Sequence, residues 1–107
     1  MNTKQYKEYI ELQVLKSLVA NKTQTTISKE LTMAIGKVNY IANALIEKGF
    51  IKAGNFVNAE DKKKYKYLLT EKGLEEKINI TKKFIKIKKA EYEKMQRELE
   101  KYESSRL

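Results

Sequence analysis

The chain has 107 residues, which suit a single domain with one modest core. It contains no Cys and no His, which excludes disulfides, thiolate chemistry, cysteine-based zinc sites and histidine acid–base catalysis. Its 23 Lys and Arg against 14 Asp and Glu give a net charge of +9, which favours an anionic partner, most simply nucleic acid.

Apolar residues recur at helical spacing through the first 48 residues and predict three helices, over about 4–19, 24–31 and 35–48. The buried stripe of the first helix is expected to be Tyr6, Ile10, Val14, Leu15 and Leu18. Thr23 is a candidate N-cap of the second helix, and Met33 is expected to fill the core at the turn before the third. This arrangement is typical of a helix-turn-helix.

The third helix has one apolar face and one polar face. Its apolar face is predicted to hold Val38, Ile41, Ala42, Leu45 and Ile46, and Gly49 is expected to end the helix. Its polar face carries Gly36, Lys37, Asn39, Tyr40 and Asn43. Such small, cationic and amide-bearing groups can read the edges of base pairs in a duplex groove.

Two strands are predicted over 50–56 and 64–69, and the polar loop between them forms a wing. A long fourth helix follows, over about 71–103, with Thr70 as its N-cap. The predicted fold class is therefore mainly α with a small β-hairpin. Residues 1–70 are expected to form a winged helix-turn-helix DNA-binding domain, and residues 71–107 a long C-terminal dimerisation helix.

The fourth helix has a heptad pattern, which predicts a coiled coil with a second copy of the chain. The expected dimerisation residues are Ile78, Ile85, Lys88, Tyr92, Met95, Leu99 and Tyr102. Lysines cluster in its first half, over 82–89, and glutamates in its second half, over 91–103. Because an antiparallel pair sets the basic half of one helix against the acidic half of the other, the antiparallel orientation is favoured.

The residues expected to contact DNA lie on three segments. Lys37 and Asn39 are expected to reach base edges, and the start of the second helix and the basic wing are expected to contact phosphate or the minor groove. The full set is Thr23, Gln24, Thr25, Gly36, Lys37, Asn39, Tyr40, Asn43, Lys62, Lys63 and Lys64. Other interpretations stay open at several of these positions: Thr23 as a plain N-cap, Tyr40 as a cover for the domain edge, and the lysines as a solvated run.

Residues 35–40, Ile-Gly-Lys-Val-Asn-Tyr, and 44–52, Ala-Leu-Ile-Glu-Lys-Gly-Phe-Ile-Lys, resemble the MarR-type winged-helix regulators, and most closely the small subgroup associated with exopolysaccharide gene clusters. The likeness covers about residues 10–100 and implies transcriptional regulation by a dimer. Three positions depart from the subgroup's pattern, which usually has Glu where Thr26 stands, Gly where Thr32 stands and Ser where Ala34 stands. Thr32 would cap the third helix instead if that helix began at Met33.

Together these observations predict a sequence-specific double-stranded DNA-binding transcriptional regulator that acts as a homodimer. The alternatives are an architectural, nucleoid-type DNA-binding protein of low specificity and a protein-interaction adaptor that uses the long helix. The sequence has no Gly-rich phosphate loop and no catalytic spacing, so we expect no enzyme activity, no metal and no cofactor.

We expect no membrane partner, because no apolar run approaches roughly 18 residues, and we expect a cytoplasmic, nucleoid-associated location. A small-molecule effector is not expected, since so short a chain with one C-terminal helix leaves little room for a cavity, but this possibility stays open.

Overall fold

The computed structural model describes residues 1–56 and 65–106. Within these two stretches, four helices and a two-stranded hairpin follow one another in the order expected from the sequence. They are α1 (Thr3–Val19), α2 (Gln24–Leu31), α3 (Ile35–Glu47), β1 (Ile51–Phe56), β2 (Tyr65–Leu69) and α4 (Glu71–Ser105). The chain is mainly helical with a small antiparallel hairpin and a long C-terminal helix, so the predicted fold class is confirmed.

Local signals in the sequence set the ends of these elements. Asn2 caps α1 through its side chain, which accepts from the Gln5 backbone, and Asn21 follows the helix in the left-handed region with φ 63°. Gly49, with φ +77°, ends the turn that follows α3, as expected for a residue without a Cβ. Thr70 caps α4 by accepting from the Gly73 backbone N–H at 2.9 Å.

The core lies where α1, α2, α3 and β1 meet. It consists of Val14, Leu15, Leu18, Ile27, Val38, Ile41, Ala42, Leu45 and Ile51. Met33 is half-buried and packs against this cluster, in agreement with its expected place at the turn. Two predicted core positions are wrong: the side chains of Tyr6 and Ile46 are 57% and 38% exposed.

The exposure of Tyr6 follows from the geometry of α1. Residues four apart are displaced by about 40° around a helix of 3.6 residues per turn, so a stripe of such steps drifts off a straight core. Val14 and Leu18 are fully buried, whereas Tyr6, two turns and more before them, has rotated away. Leu12, which the pattern did not select, is buried instead and lines a groove between α1 and α4.

The hairpin pairs Ile51 with Leu69, Lys52 with Leu68 and Ala53 with Tyr67, and its register shifts between Ala53 and Phe56. The six and five residues of β1 and β2 form the base of the predicted wing. The wing tip, including the predicted contacts Lys62, Lys63 and Lys64, lies outside the described residues.

The long helix α4 contacts the domain mainly along its first half, and just past its middle Glu91 forms an ion pair with the N-terminal amino group of Met1 at 3.2 Å. Phe84 is 4% exposed, and its ring meets the ring of Tyr9 on α1 edge-on, with 5.2 Å between centroids. Lys83 forms an ion pair with Glu8 on the same side of α1. At 35 residues α4 is roughly 50 Å long, so its second half extends past these contacts.

Candidate nucleic-acid interface

The polar face of α3 lies on the surface, opposite the core. Val38, Ile41 and Leu45 are buried behind it and hold the helix against α1 and α2. Gly36, Lys37, Asn39, Tyr40 and Asn43 are all exposed on the other side, and 71% of Tyr40 is accessible. The structure therefore brings together on one helix face the five residues predicted from that helix.

The turn between α2 and α3 departs from the expected capping. Thr32 takes the left-handed conformation, with φ 52° and ψ 54°, and is the C-cap of α2. The N-cap of α3 is Ala34, which makes no side-chain cap hydrogen bond. The idea that Thr32 caps α3 is therefore wrong, because α3 begins at Ile35 rather than at Met33.

At the start of α2, Thr23 serves as the N-cap. Its hydroxyl oxygen accepts from the Thr26 backbone N–H at 3.1 Å, and its O–H donates to the Thr26 hydroxyl oxygen at 2.9 Å. Thr26 thus contributes to the cap although it lacks the carboxylate of a capping box. Thr23 and Gln24 are half-buried and Thr25 is exposed, so this helix start borders the polar face of α3.

One contact joins the two helices across this border. The side-chain Nε2 of Gln24 donates to Oδ1 of Asn39 at 3.4 Å. The sequence did not point to this pair, because the two residues are 15 positions apart and belong to different helices.

Beside the polar face, an open groove of about 420 Å³ separates the N-terminal half of α1 from the α2–α3 turn and α3. It is lined by Tyr6, Met33, Lys37 and Tyr40 among others. Pockets that hold drug-sized ligands usually measure about 300–1,000 Å³. This groove falls in that range of volume but is open to solvent, so the expected absence of an effector stays a prediction.

The predicted dimerisation face of α4 is exposed along its whole length. The accessible fraction is 45% for Ile78, 61% for Ile85 and Tyr92, 67% for Met95, 55% for Leu99 and 63% for Tyr102. Lys88 lies on the same helix with its Nζ 4.8 Å from the centre of the Tyr9 ring, so it also has an intramolecular contact. The role of these residues in pairing stays a prediction.

Among the described residues, no helix is long and apolar enough to cross a membrane. In the same two stretches, 1–56 and 65–106, no cluster of acidic side chains has an arrangement that could hold a metal ion.

No family model and no curated protein matches this sequence. Solved structures do match. The chain is similar to Staphylococcus aureus MarR in complex with salicylate and kanamycin, with a TM-score of 0.60 and 23% identity over 78% of this chain and 56% of that one. It is also similar to the S. aureus MepR–DNA complex, with a TM-score of 0.61 and 25% identity over 91% of this chain and 76% of that one.

A third similar structure is MepR, a transcription regulator of the S. aureus multidrug efflux pump MepA, with a TM-score of 0.60 and 24% identity over 92% of this chain and 78% of that one. The chain has the fold of MarR-type regulators. It spans little more than half the length of MarR itself. The MarR-type likeness was expected from the sequence, whereas the exopolysaccharide-associated subgroup stays a prediction.

Proposed function

We propose that this chain is a transcriptional regulator that binds double-stranded DNA with sequence specificity and acts as a homodimer. The observation that carries the proposal is the exposed polar face of α3, on which Lys37, Asn39 and Tyr40 stand clear of a core that fixes the helix. A helix presented in this way fits the major groove of B-DNA. The likeness to MepR, which has been solved as a DNA complex, supports the same assignment.

In this proposal α3 enters the major groove and the residues divide into two roles. Asn39 and Lys37 read base edges, and Tyr40 and Asn43 contact the groove wall or adjacent bases. The start of α2, with Thr23, binds phosphate, and the wing lysines 62–64 contact the backbone or the minor groove. Most of the affinity then comes from lysine–phosphate contacts and falls steeply with salt, whereas base preference depends on the α3 side chains.

The proposed homodimer forms through α4. Its heptad positions are spaced without interruption from Leu74 to Tyr102, and the apolar ones are 45–67% exposed. A helix that leaves such a stripe uncovered loses the stabilisation that burial gives, so a partner helix is favoured. The partner is a second copy in antiparallel orientation, because the lysines of one half then face the glutamates of the other.

The test of DNA binding compares the duplex upstream of the gene with a scrambled duplex of equal length in about 150 mM salt, conditions in which the lysine contacts are partly screened. A preference of about a thousandfold is expected for a regulator. Equal, salt-sensitive binding to both would favour the architectural alternative, and no binding to either would favour the adaptor. Lys37→Ala should reduce binding more than Lys94→Ala, which removes the same charge from an exposed site on α4.

The orientation of the dimer can be measured directly, because the chain has no Cys and single-cysteine variants carry one label each. A spin label on Leu99→Cys should report a long distance between protomers, about 30 Å if the helices cross near Lys88. A parallel pair would instead hold the two labels side by side, at about the 8–10 Å spacing of packed helices. The short distance would overturn the antiparallel assignment.

A further inference from the structure

The contact between Gln24 and Asn39 links the two helices of the helix-turn-helix at the DNA-facing surface. Gln24 is the first residue of α2, directly after the N-cap Thr23, and it is half-buried. Asn39 is exposed on the second turn of α3. The Gln24 Nε2–H group donates to the Asn39 Oδ1 atom at 3.4 Å, so the carbonyl oxygen of Asn39 is turned towards α2.

This orientation decides what Asn39 offers to a base. An asparagine amide has one carbonyl oxygen, which accepts, and one NH₂ group, which donates. When the oxygen is turned towards Gln24, the NH₂ group is turned away from it and is free to donate. In the major groove, adenine and guanine present N7, guanine also presents O6, and thymine presents O4 as acceptors, whereas cytosine presents only its N4–H₂ donor.

We infer that Gln24 is a positioning residue that holds the Asn39 amide with its NH₂ group towards the groove. Asn39 then favours a base that presents a hydrogen-bond acceptor and disfavours cytosine. The inference depends on the proposed function and adds a base preference to it. It also gives Gln24 a different role from the phosphate contact expected from the sequence. An unrestrained Asn39 could instead bond adenine bidentately, with Oδ1 accepting from N6.

The decisive variant is Gln24→Glu. A carboxylate only accepts hydrogen bonds, so Asn39 must turn its NH₂ group towards the new side chain and its carbonyl oxygen towards the groove. The base preference at one position should then shift towards bases that present a donor, cytosine N4 or adenine N6. Among selected duplexes, the frequency of cytosine at that position relative to guanine plus thymine should rise roughly fivefold or more.

The matched control is Thr25→Glu. It places the same negative charge one residue further along the start of α2, and no hydrogen bond joins Thr25 to α3 within the described part of the chain. Both variants should weaken binding to all sequences, because the added charge repels phosphate. Only Gln24→Glu should change the preferred base, as measured by selection from randomised duplexes.

A protein-only measurement detects the contact without DNA. The side-chain amide resonances of Asn39 should shift in Gln24→Ala and stay in place in Thr25→Ala. The losses of DNA-binding free energy caused by Gln24→Ala and Asn39→Ala should be non-additive in the double variant, because without Asn39 there is no side chain for Gln24 to position.

Each outcome decides between the assignments. Gln24→Ala could weaken binding equally on all sequences, with a loss of affinity that adds to the loss from Asn39→Ala and with no change in base preference. In that case Gln24 is a phosphate contact and the inference is wrong, while the proposed function stands. If the unmodified protein selects no sequence at all, the proposed specific regulator fails and the inference fails with it. Circular dichroism of each variant establishes that the loss does not come from unfolding.

Discussion

Gly73 provides the sharpest test of how α4 is joined to the winged domain. It lies in the first turn of α4 and is buried, because the helix passes the backbone at Phe50 there. A Cβ atom at this position would lie 1.9 Å from the Phe50 carbonyl oxygen and 2.9 Å from Cδ1 of Leu69. A carbon and an oxygen atom in close contact are about 3.3–3.6 Å apart. Gly73→Ala must therefore push the first turn of α4 and the backbone at Phe50 apart by roughly 1 Å or more.

The cost can be worked from the contacts that would move. The Phe50 carbonyl oxygen accepts from both the backbone N–H and the hydroxyl of Thr70 at 3.0 Å. Overpacking costs about 1–3 kcal/mol, and weakening these two hydrogen bonds adds about 0.5–1.5 kcal/mol each. Alanine is better than glycine in a helix by about 1 kcal/mol, which offsets part of the loss. We therefore expect Gly73→Ala to lower the free energy of unfolding by about 1–5 kcal/mol, and Tm by about 4–8 °C for each kcal/mol lost.

The control makes the same chemical change where there is space. Gly36 is exposed on α3, and a Cβ there meets no atom of the described residues within 4 Å. Gly36→Ala should leave stability unchanged or raise it by up to about 1 kcal/mol. Urea unfolding followed by far-UV circular dichroism gives both values. If Gly73→Ala were as stable as the unmodified protein, the close approach of α4 to Phe50 would be refuted.

Three further predictions follow from single side chains. Thr32→Gly should raise the free energy of unfolding by about 0.5–1 kcal/mol in a urea titration, because the left-handed conformation of Thr32 strains a β-branched residue. A lower free energy of unfolding would show instead that the Thr32 side chain stabilises the turn. Ala34→Ser should add about 1 kcal/mol by capping α3, whose N-cap now makes no side-chain bond; an unchanged urea midpoint would contradict this. Phe84→Ala should lower the free energy of unfolding by about 3–5 kcal/mol, since the ring is buried against Tyr9. Ile85→Ala is the control at the exposed neighbouring position. It should leave the stability of the monomer unchanged and weaken self-association, as measured by sedimentation equilibrium.

The sequence predicted the helices and strands well where the buried face and the ends of an element depend on its own residues. The buried face of α3 follows from its 3.6-residue period, and only Ile46, at the margin of that face, was misassigned. The ends at Gly49 and Thr70 follow from a left-handed glycine and an N-cap hydroxyl, both of which are local properties.

What the sequence did not predict depends on where elements lie relative to one another. The need for glycine at position 73 comes from Phe50, 23 residues earlier, and the Gln24–Asn39 contact joins two helices. Burial of Leu12 likewise requires α4 to cover the far side of α1. Periodicity within a segment carries no information about such partners, so the members of the candidate interface could be named but not their contacts.

The first helix, α1, links the two halves of the molecule. One side of α1 contributes Val14, Leu15 and Leu18 to the core that fixes α3, and another places Tyr9 against Phe84 of α4. If two copies pair through α4, the position of each α3 relative to the dimer axis is therefore transmitted through α1 as well as through the short hairpin. In the proposed dimer, a change at the Tyr9–Phe84 contact would alter the angle or spacing of the two α3 helices without touching any residue of the proposed DNA-contacting face. In a dimer that reads two half-sites, such a change acts on the preferred half-site spacing rather than on the bases within each half-site.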